Sequence, residues 1–337
     1  MGMTGDREMG LAVPLDRSSA ELRGQLRIGG VSIQIAGSRG TDVGFDSEHE
    51  PFRVRLGASD IDLGVGWVAD LAPTPGRAIF DSGATWRLYQ HEDGLQFDFI
   101  ATDRPYKRLF VDSLFRRASL EMSAAYFDAF PHLADPLGYP LDELLIMHRL
   151  TQEKAIELHS CGIVRPDGTG NLFVGHSGAG KSTTTRLWTE REDVEILSDD
   201  RIIVRRDDSV DGVGILRLRD RSASPCGCAA QDDKPKTSGM RMYGTPWHGE
   251  AMYASPGSAP LARIFILEHG HGNVLTRLSP SQAVAELFAR SFVPFHRHEY
   301  VDSALEFLQE LVGAVPCYHY AFEPNEAAVE RILEFRD

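Results

Sequence analysis

The stretch at 171–183, Asn-Leu-Phe-Val-Gly-His-Ser-Gly-Ala-Gly-Lys-Ser-Thr, decides how the chain is read. Leu172-Phe173-Val174 is an apolar run, and Gly175-His176-Ser177-Gly178-Ala179-Gly180-Lys181-Ser182 fits GxxxxGK[ST] without departure. Positions 181–190 then read as a helix. Strand, glycine-rich turn and helix in that order predict an anion cradle. Glycines let successive N–H groups turn inward, and the helix N-terminus adds positive potential. In such a loop Lys181 reaches the β- and γ-phosphates of ATP, Ser182 ligates Mg²⁺, and the run through Thr183 lines the nucleotide. The alternative is a chance match in a glycine-rich turn, and the flanking strand and helix count against it.

Downstream, Asp199-Asp200 begins 18 positions after Lys181, at the end of the apolar run Val194–Leu197. One helix and one returning strand fill that interval, which predicts that the carboxylates come back beside the loop. One acid would hold Mg²⁺ and the other would accept a proton from an attacking hydroxyl. An adjacent acid pair is otherwise often a solvated turn. No LSGGQ-like stretch marks a transporter ATPase, and no NKxD or TKxD marks guanine selection. Motor-like ATPases place their second acidic motif much further along.

Strand candidates at 155–164, 171–174, 194–197, 201–206, 261–268 and 317–322 interleave with helix candidates at 181–190, 281–288, 302–312 and 325–335. That is an α/β pattern. Upstream, between 25 and 99, short alternating runs such as LRIGGVSIQIA, FRVRLG, IDLGVGW, ATWRLYQ and LQFDFIA are separated by Gly, Asp, Pro and Ser clusters, the mark of antiparallel strands. Helical periodicity follows at 118–130 and 140–150. The expected organisation is a smaller β-rich domain over 1–135 and a catalytic domain over 136–337, with a polar, mobile loop at 220–240.

The run LHSCGIV…LFVGHSGAGKST…ILSDDRIIV resembles the catalytic core of the HPr kinase/phosphorylase family and of the related kinases found with peptide-modifying gene clusters. It is similar, more distantly, to ATP-dependent phosphoenolpyruvate carboxykinase, which shares the order His, phosphate loop, Asp-Asp. The resemblance covers roughly 142–322. It implies a mixed-sheet phosphate-loop core, with His159 as the family histidine, Lys181 and Ser182 as nucleotide and metal residues, and Asp199 and Asp200 dividing base and metal duties. Which acid takes which duty stays open, with Asp200 the metal-proximal one in the carboxykinase-like reading. The chain departs from bacterial HPr kinase at Thr183, where that family has Glu, and at Ser160, where it has Gly. It also carries no copy of that family's later signature, so HPr as acceptor and phosphorolysis are not carried over.

Other residues have two readings each. His159 sits among apolar neighbours and is either core or catalytic. Trp247, His248 and Glu250, in the run GTPWHGE, form either a substrate contact or a tight turn capped by a buried tryptophan. Arg201 steadies the acid pair or touches the acceptor. Lys234 and Lys236 are loop charges or a phosphate lure, and His296 and His298, flanking Arg297, suit a surface role better than a metal.

The net charge of −14 over 337 residues disfavours nucleic acid and anionic lipid as partners. No run is long and apolar enough to span a bilayer. Cys161, Cys226, Cys228 and Cys317 are too scattered for a disulfide framework. A cytoplasmic protein is expected, with self-association left open. The activity expected is ATP- and Mg²⁺-dependent phosphoryl transfer to a hydroxyl, most simply a serine of a protein or peptide. The rivals are a small-molecule metabolite kinase and a non-catalytic nucleotide-binding scaffold or sensor.

Overall fold

The computed structural model describes residues 22–37, 45–83, 85–91, 93–206 and 238–336. Most of the expected mobile loop, at 220–237, lies outside the described residues, together with Cys226, Cys228, Lys234 and Lys236. The chain divides into two compact units, Met1–Gln152 with Pro294–Arg297, and Glu153–Val293 with His298–Asp337. Both are built on sheets with helices, a mixed α/β protein. No helix among the described residues is long and apolar enough to cross a membrane.

The first unit carries β1 (Leu22–Ile28), β2 (Val31–Gly37), β3 (Ile61–Val68), β4 (Phe80–Asp81), β5 (Trp86–His91), β6 (Gly94–Ala101), β7 (Arg104–Asp112) and β8 (Arg117–Ser123), then α1 (Ala124–Phe127) and α2 (Leu141–Leu150). They form one eight-stranded sheet in the order β1-β2-β3-β8-β7-β6-β5-β4. It is antiparallel except where β3 runs parallel to β2 and to β8. Two sequence expectations fail here. The 118–130 segment is a strand followed by one helical turn, because Ala118, Leu120 and Met122 alternate inward at period two and Ser123 caps only a short helix. FRVRLG is not a strand. Pro51 lacks the N–H a ladder needs, and the segment makes a single helical turn at Glu50–Phe52 and one bridge between Leu26 and Arg53.

The boundary between units falls after Gln152 rather than at 135, since α2 packs into the first unit. The His148 ring stacks on Phe115 with centroids 4.8 Å apart and meets Phe97 edge-on at 5.3 Å. Arg149 reaches the Leu114 carbonyl at 3.1 Å.

The second unit contains β9 (Ala155–Val164), β10 (Gly170–Val174), α3 (Lys181–Thr189), β11 (Glu195–Ser198), β12 (Arg201–Arg206), β13 (Met240–Tyr243), β14 (Ser258–His269), β15 (Val274–Arg277), α4 (Pro280–Phe288), β16 (Ser291–Phe292), α5 (His298–Ala314), β17 (Cys317–Phe322) and α6 (Glu326–Glu334). β9 is the hub. Its C-terminal half lies antiparallel between β10 and β11, and its N-terminal half between β12 and β16. The ladders β9–β12–β13–β14–β10 return to β9, closing a ring.

β10 and β17 run parallel to β14, so the chain leaves all three at the same edge of the sheet. Ligands of α/β sheets commonly bind beyond such carboxyl ends. Alternation gives the sheet two apolar faces. Leu172 and Val174 pack with Leu287 of α4 and Phe307 of α5, whereas Phe173 packs with Trp188 of α3 and Ile332 of α6. Helices on both faces make β10 a buried strand, which is why its sequence reads as continuous apolar residues.

Candidate functional site

The loop of residues 175–180 joins the end of β10 to the start of α3. Its backbone needs glycine at two points. Gly178 and Gly180 adopt left-handed φ values of 81° and 103°, and a Cβ on Gly180 would run into the Phe322 ring. Gly175 is close-packed instead, since a Cβ there would lie 2.7 Å from that of Ala179. The first helical hydrogen bond is from Thr184 N–H to the Gly180 carbonyl at 2.8 Å. The N–H groups of Lys181, Ser182 and Thr183 therefore precede the helical ladder, and they stand at the positive end of the helix. His269, at the end of β14, donates from Nε2 to the Gly178 carbonyl at 2.8 Å and steadies the turn.

The buried Lys181 ammonium donates to the carbonyls of Gly175 at 3.0 Å and His176 at 3.2 Å, so it lies curled against the loop. Burial pulls it below the usual lysine range, and the Asp200 carboxylate is the chief charge opposing that pull. Orphan helical N–H groups, a glycine-dependent turn and a buried ammonium suit a triphosphate. Ser182, at the second helical position, and Asp200 are the oxygen donors that could hold Mg²⁺ there.

The two acids behave differently. Asp199 is 1% exposed, and its carboxylate accepts three backbone N–H bonds: Gly249 to Oδ1 at 3.0 Å, Tyr253 to Oδ1 at 3.2 Å and Ala251 to Oδ2 at 2.8 Å. It anchors the 244–254 loop. Asp200 instead faces side chains. His159 Nε2 lies 2.9 Å from its Oδ1, and Arg201 bonds its Oδ2. Burial pushes the Asp200 carboxyl up, but the His159 hydrogen bond and the charges of Arg201, His159 and Lys181 outweigh it and hold the group below the usual carboxylate range.

His159 ties loop to acid. Its carbonyl accepts from Gly175 N–H at 3.3 Å, its imidazole holds Asp200, and its neighbour Ser160 donates N–H to the Asp200 carbonyl at 2.9 Å. No protein-family model matches the chain, and no curated protein matches it.

The remaining candidates take distinct places. Arg201 pairs with buried Glu157 through Nε at 3.3 Å and lies over the Phe292 ring at 4.4 Å. A guanidinium held by two carboxylates and an aromatic face is fixed in position. Trp247 is 6% exposed, and its carbonyl accepts from the Ser198 hydroxyl at 3.3 Å, so its ring belongs to the turn's interior. His248 is half-buried, with Nδ1 3.1 Å from the Gly249 carbonyl, and Glu250 is exposed on the segment that Asp199 anchors. His296 is a ring partner of His148 in the first unit, 5.2 Å away, and His298 is exposed at the start of α5.

Two residues of this site are unmarked by any motif. Glu157 is fully buried beneath Arg201, and the Arg290 carbonyl accepts the His159 N–H at 2.8 Å. Glu157 has a readable signal, a carboxylate at period two from His159 inside an otherwise apolar strand. Arg290 has none.

Proposed function

We propose that the second unit is an ATP- and Mg²⁺-dependent phosphotransferase of the HPr kinase-like type, built on a phosphate-loop core, that phosphorylates an acceptor hydroxyl, most simply a serine of a protein or peptide. The observation that carries this reading is the double attachment of His159, by its backbone to Gly175 of the loop and by its imidazole to Asp200. It supports a single site in which loop and acid work on the same ligand.

In that site the amides of Lys181, Ser182 and Thr183 and the Lys181 ammonium would grip phosphate oxygens. Ser182 and Asp200 would hold the metal, whose charge would neutralise the β- and γ-phosphates. The acceptor oxygen attacks the γ-phosphorus, the bond to the β–γ bridging oxygen breaks, and ADP leaves. Asp200, held ionised by His159 and Arg201, suits a metal better than it suits a strong base. The loose transition state of phosphoryl transfer tolerates this, because positioning and charge stabilisation supply most of the rate. The acceptor proton would pass to Asp200 late in the transfer. Asp199, with its carboxylate committed to three N–H groups, acts as a positioning residue through the 249–253 backbone.

Incubation with labelled ATP, Mg²⁺ and cell extract, followed by mass spectrometry of the labelled products, tests the reading. Phosphoserine in protein, abolished by Lys181→Ala and by Asp200→Asn, is the expected result. Label confined to small molecules would replace the acceptor. Tight nucleotide binding with no transfer would replace the enzyme by a nucleotide-binding scaffold.

A further inference from the structure

The first unit holds a second cluster of ionisable side chains that the proposed reaction does not use. Asp46 and His49 lie on the chain between β2 and β3, Asp135 precedes α2, and Asp142 is in its first turn. We propose that Asp46, His49 and Asp135 bind a divalent transition-metal ion of the zinc type, with Asp142 orienting the imidazole.

Geometry is the first argument. His49 Nδ1 lies 2.9 Å from Asp46 Oδ1 and 3.7 Å from Asp135 Oδ2, and one donor atom from each residue falls within 4.8 Å of the others. Two donors about 2.1 Å from one ion at a tetrahedral angle stand about 3.4 Å apart, so the observed separations bracket the requirement.

The imidazole is the second, independent argument. Its side chain is 3% exposed, and Nε2 is engaged by Asp142 Oδ2 at 3.0 Å. That leaves Nδ1 aimed into the cluster, where it makes no hydrogen bond although Asp46 Oδ1 is near, and Asp135 Oδ2 lies buried 3.7 Å from Nδ1. A histidine held through one nitrogen by a carboxylate while the other meets further carboxylates is the outer-shell arrangement of histidine–metal sites.

Charge is the third. Asp46, Asp135 and Asp142 bring three negative charges against Lys107, whose buried ammonium bonds the Asp135 carbonyl. A proton on the imidazole leaves one of these charges uncompensated, whereas a divalent ion in its place cancels all of them. The Asp46 side chain is 39% exposed, which opens a path for the ion and leaves room for a water as fourth ligand. The competing occupants are a proton on Nδ1 and one shared between the Asp46 and Asp135 carboxyls. Burial pulls His49 down, but the Asp142 hydrogen bond and the three carboxylates push it up to about 9.

The test is titration of the metal-stripped full chain with Co²⁺, read by its visible absorption, beside thermal unfolding with Zn²⁺ or with chelator. The expected result is about one equivalent of tetrahedral Co²⁺, displaced by Zn²⁺, and a higher Tm with metal. His49→Gln and Asp135→Asn should abolish the spectrum. Asp142→Asn, which leaves every ligand in place, should weaken binding about 10–100-fold. Asp200→Asn, in the other unit, should leave the spectrum unchanged, which keeps this site distinct from the proposed nucleotide site. A wild-type chain that shows neither a cobalt spectrum nor a metal-dependent Tm would overturn the proposal and assign the cluster to a proton, whether or not the variants fold.

Discussion

Replacing Asp199 by asparagine should separate the acid that holds a loop from the acid proposed to hold the metal. The amide keeps a single carbonyl oxygen, which can still serve the N–H groups of Gly249 and Tyr253 that both donate to Oδ1. Its NH₂ would then face Ala251 N–H, which now donates to Oδ2 at 2.8 Å. Two donors would oppose each other at a site 1% exposed, leaving one buried donor unsatisfied at a cost of about 1–3 kcal/mol. The two surviving bonds also lose their charge assistance, worth about 1 kcal/mol more. The sum is roughly 2–4 kcal/mol, or a Tm lower by about 5–12 °C in a unit of this size.

Asp200→Asn should behave in the opposite way. Its side chain is 21% exposed and bonded only to other side chains, and asparagine keeps an oxygen for one of them, so its stability should shift by only about 1–2 kcal/mol. Metal-dependent nucleotide binding should be lost. The assay is urea unfolding of both variants beside Mg²⁺–ATP calorimetry. If Asp199→Asn unfolds within about 0.5 kcal/mol of wild type, or if Asp200→Asn is the more destabilised, the division of labour between the two acids is wrong.

Lys181→Ala should keep the fold while Mg²⁺–ATP calorimetry shows affinity reduced at least tenfold, and wild-type affinity in that variant would remove the lysine from the site. Gly180→Ala should cost about 1–2 kcal/mol for its left-handed φ, plus the strain of moving the Phe322 ring, and a chain that melts with wild type would refute that account of the turn. Burial pulls His148 down to about 3 from an ordinary value of 6.5. Above about 6.5 both states are neutral; below it the unfolded chain takes up a proton that the folded one refuses. The first unit should therefore lose up to about 1.4 kcal/mol per pH unit between 6.5 and 3 through this residue. Urea unfolding of His148→Gln across that range should show a shallower slope, and equal slopes would deny the effect.

Much of the second unit is legible because its elements are locally consistent. β9, β12 and β17 span the strands expected at 155–164, 201–206 and 317–322, and α3 starts at Lys181 because Gly180 supplies a left-handed turn that no helix interior tolerates. Reading was poorer in the first unit. A β-strand with apolar residues at 118, 120 and 122 differs little in a short window from a helix face, and the pairing partners that decide it are β3 and β7. β2 and β3 pair in parallel, a feature that no local pattern announces.

Sequence alone determined the strand, glycine turn and lysine helix at 170–189, because strand periodicity and left-handed turns are properties of neighbouring residues. It also marked the acid pair and the histidine as chemistry out of place in apolar runs. The partners within that set were decided only by tertiary structure. Asp199 and Asp200 are adjacent and chemically identical, yet one is bound by backbone groups about fifty positions later and the other by His159 and Arg201. Successive residues at a strand end point to opposite sides, so the fold sends one carboxylate into a loop's amides and the other toward the lysine. The same holds for Asp135, which only the folding of the first unit brings within 4.8 Å of the local pair Asp46 and His49.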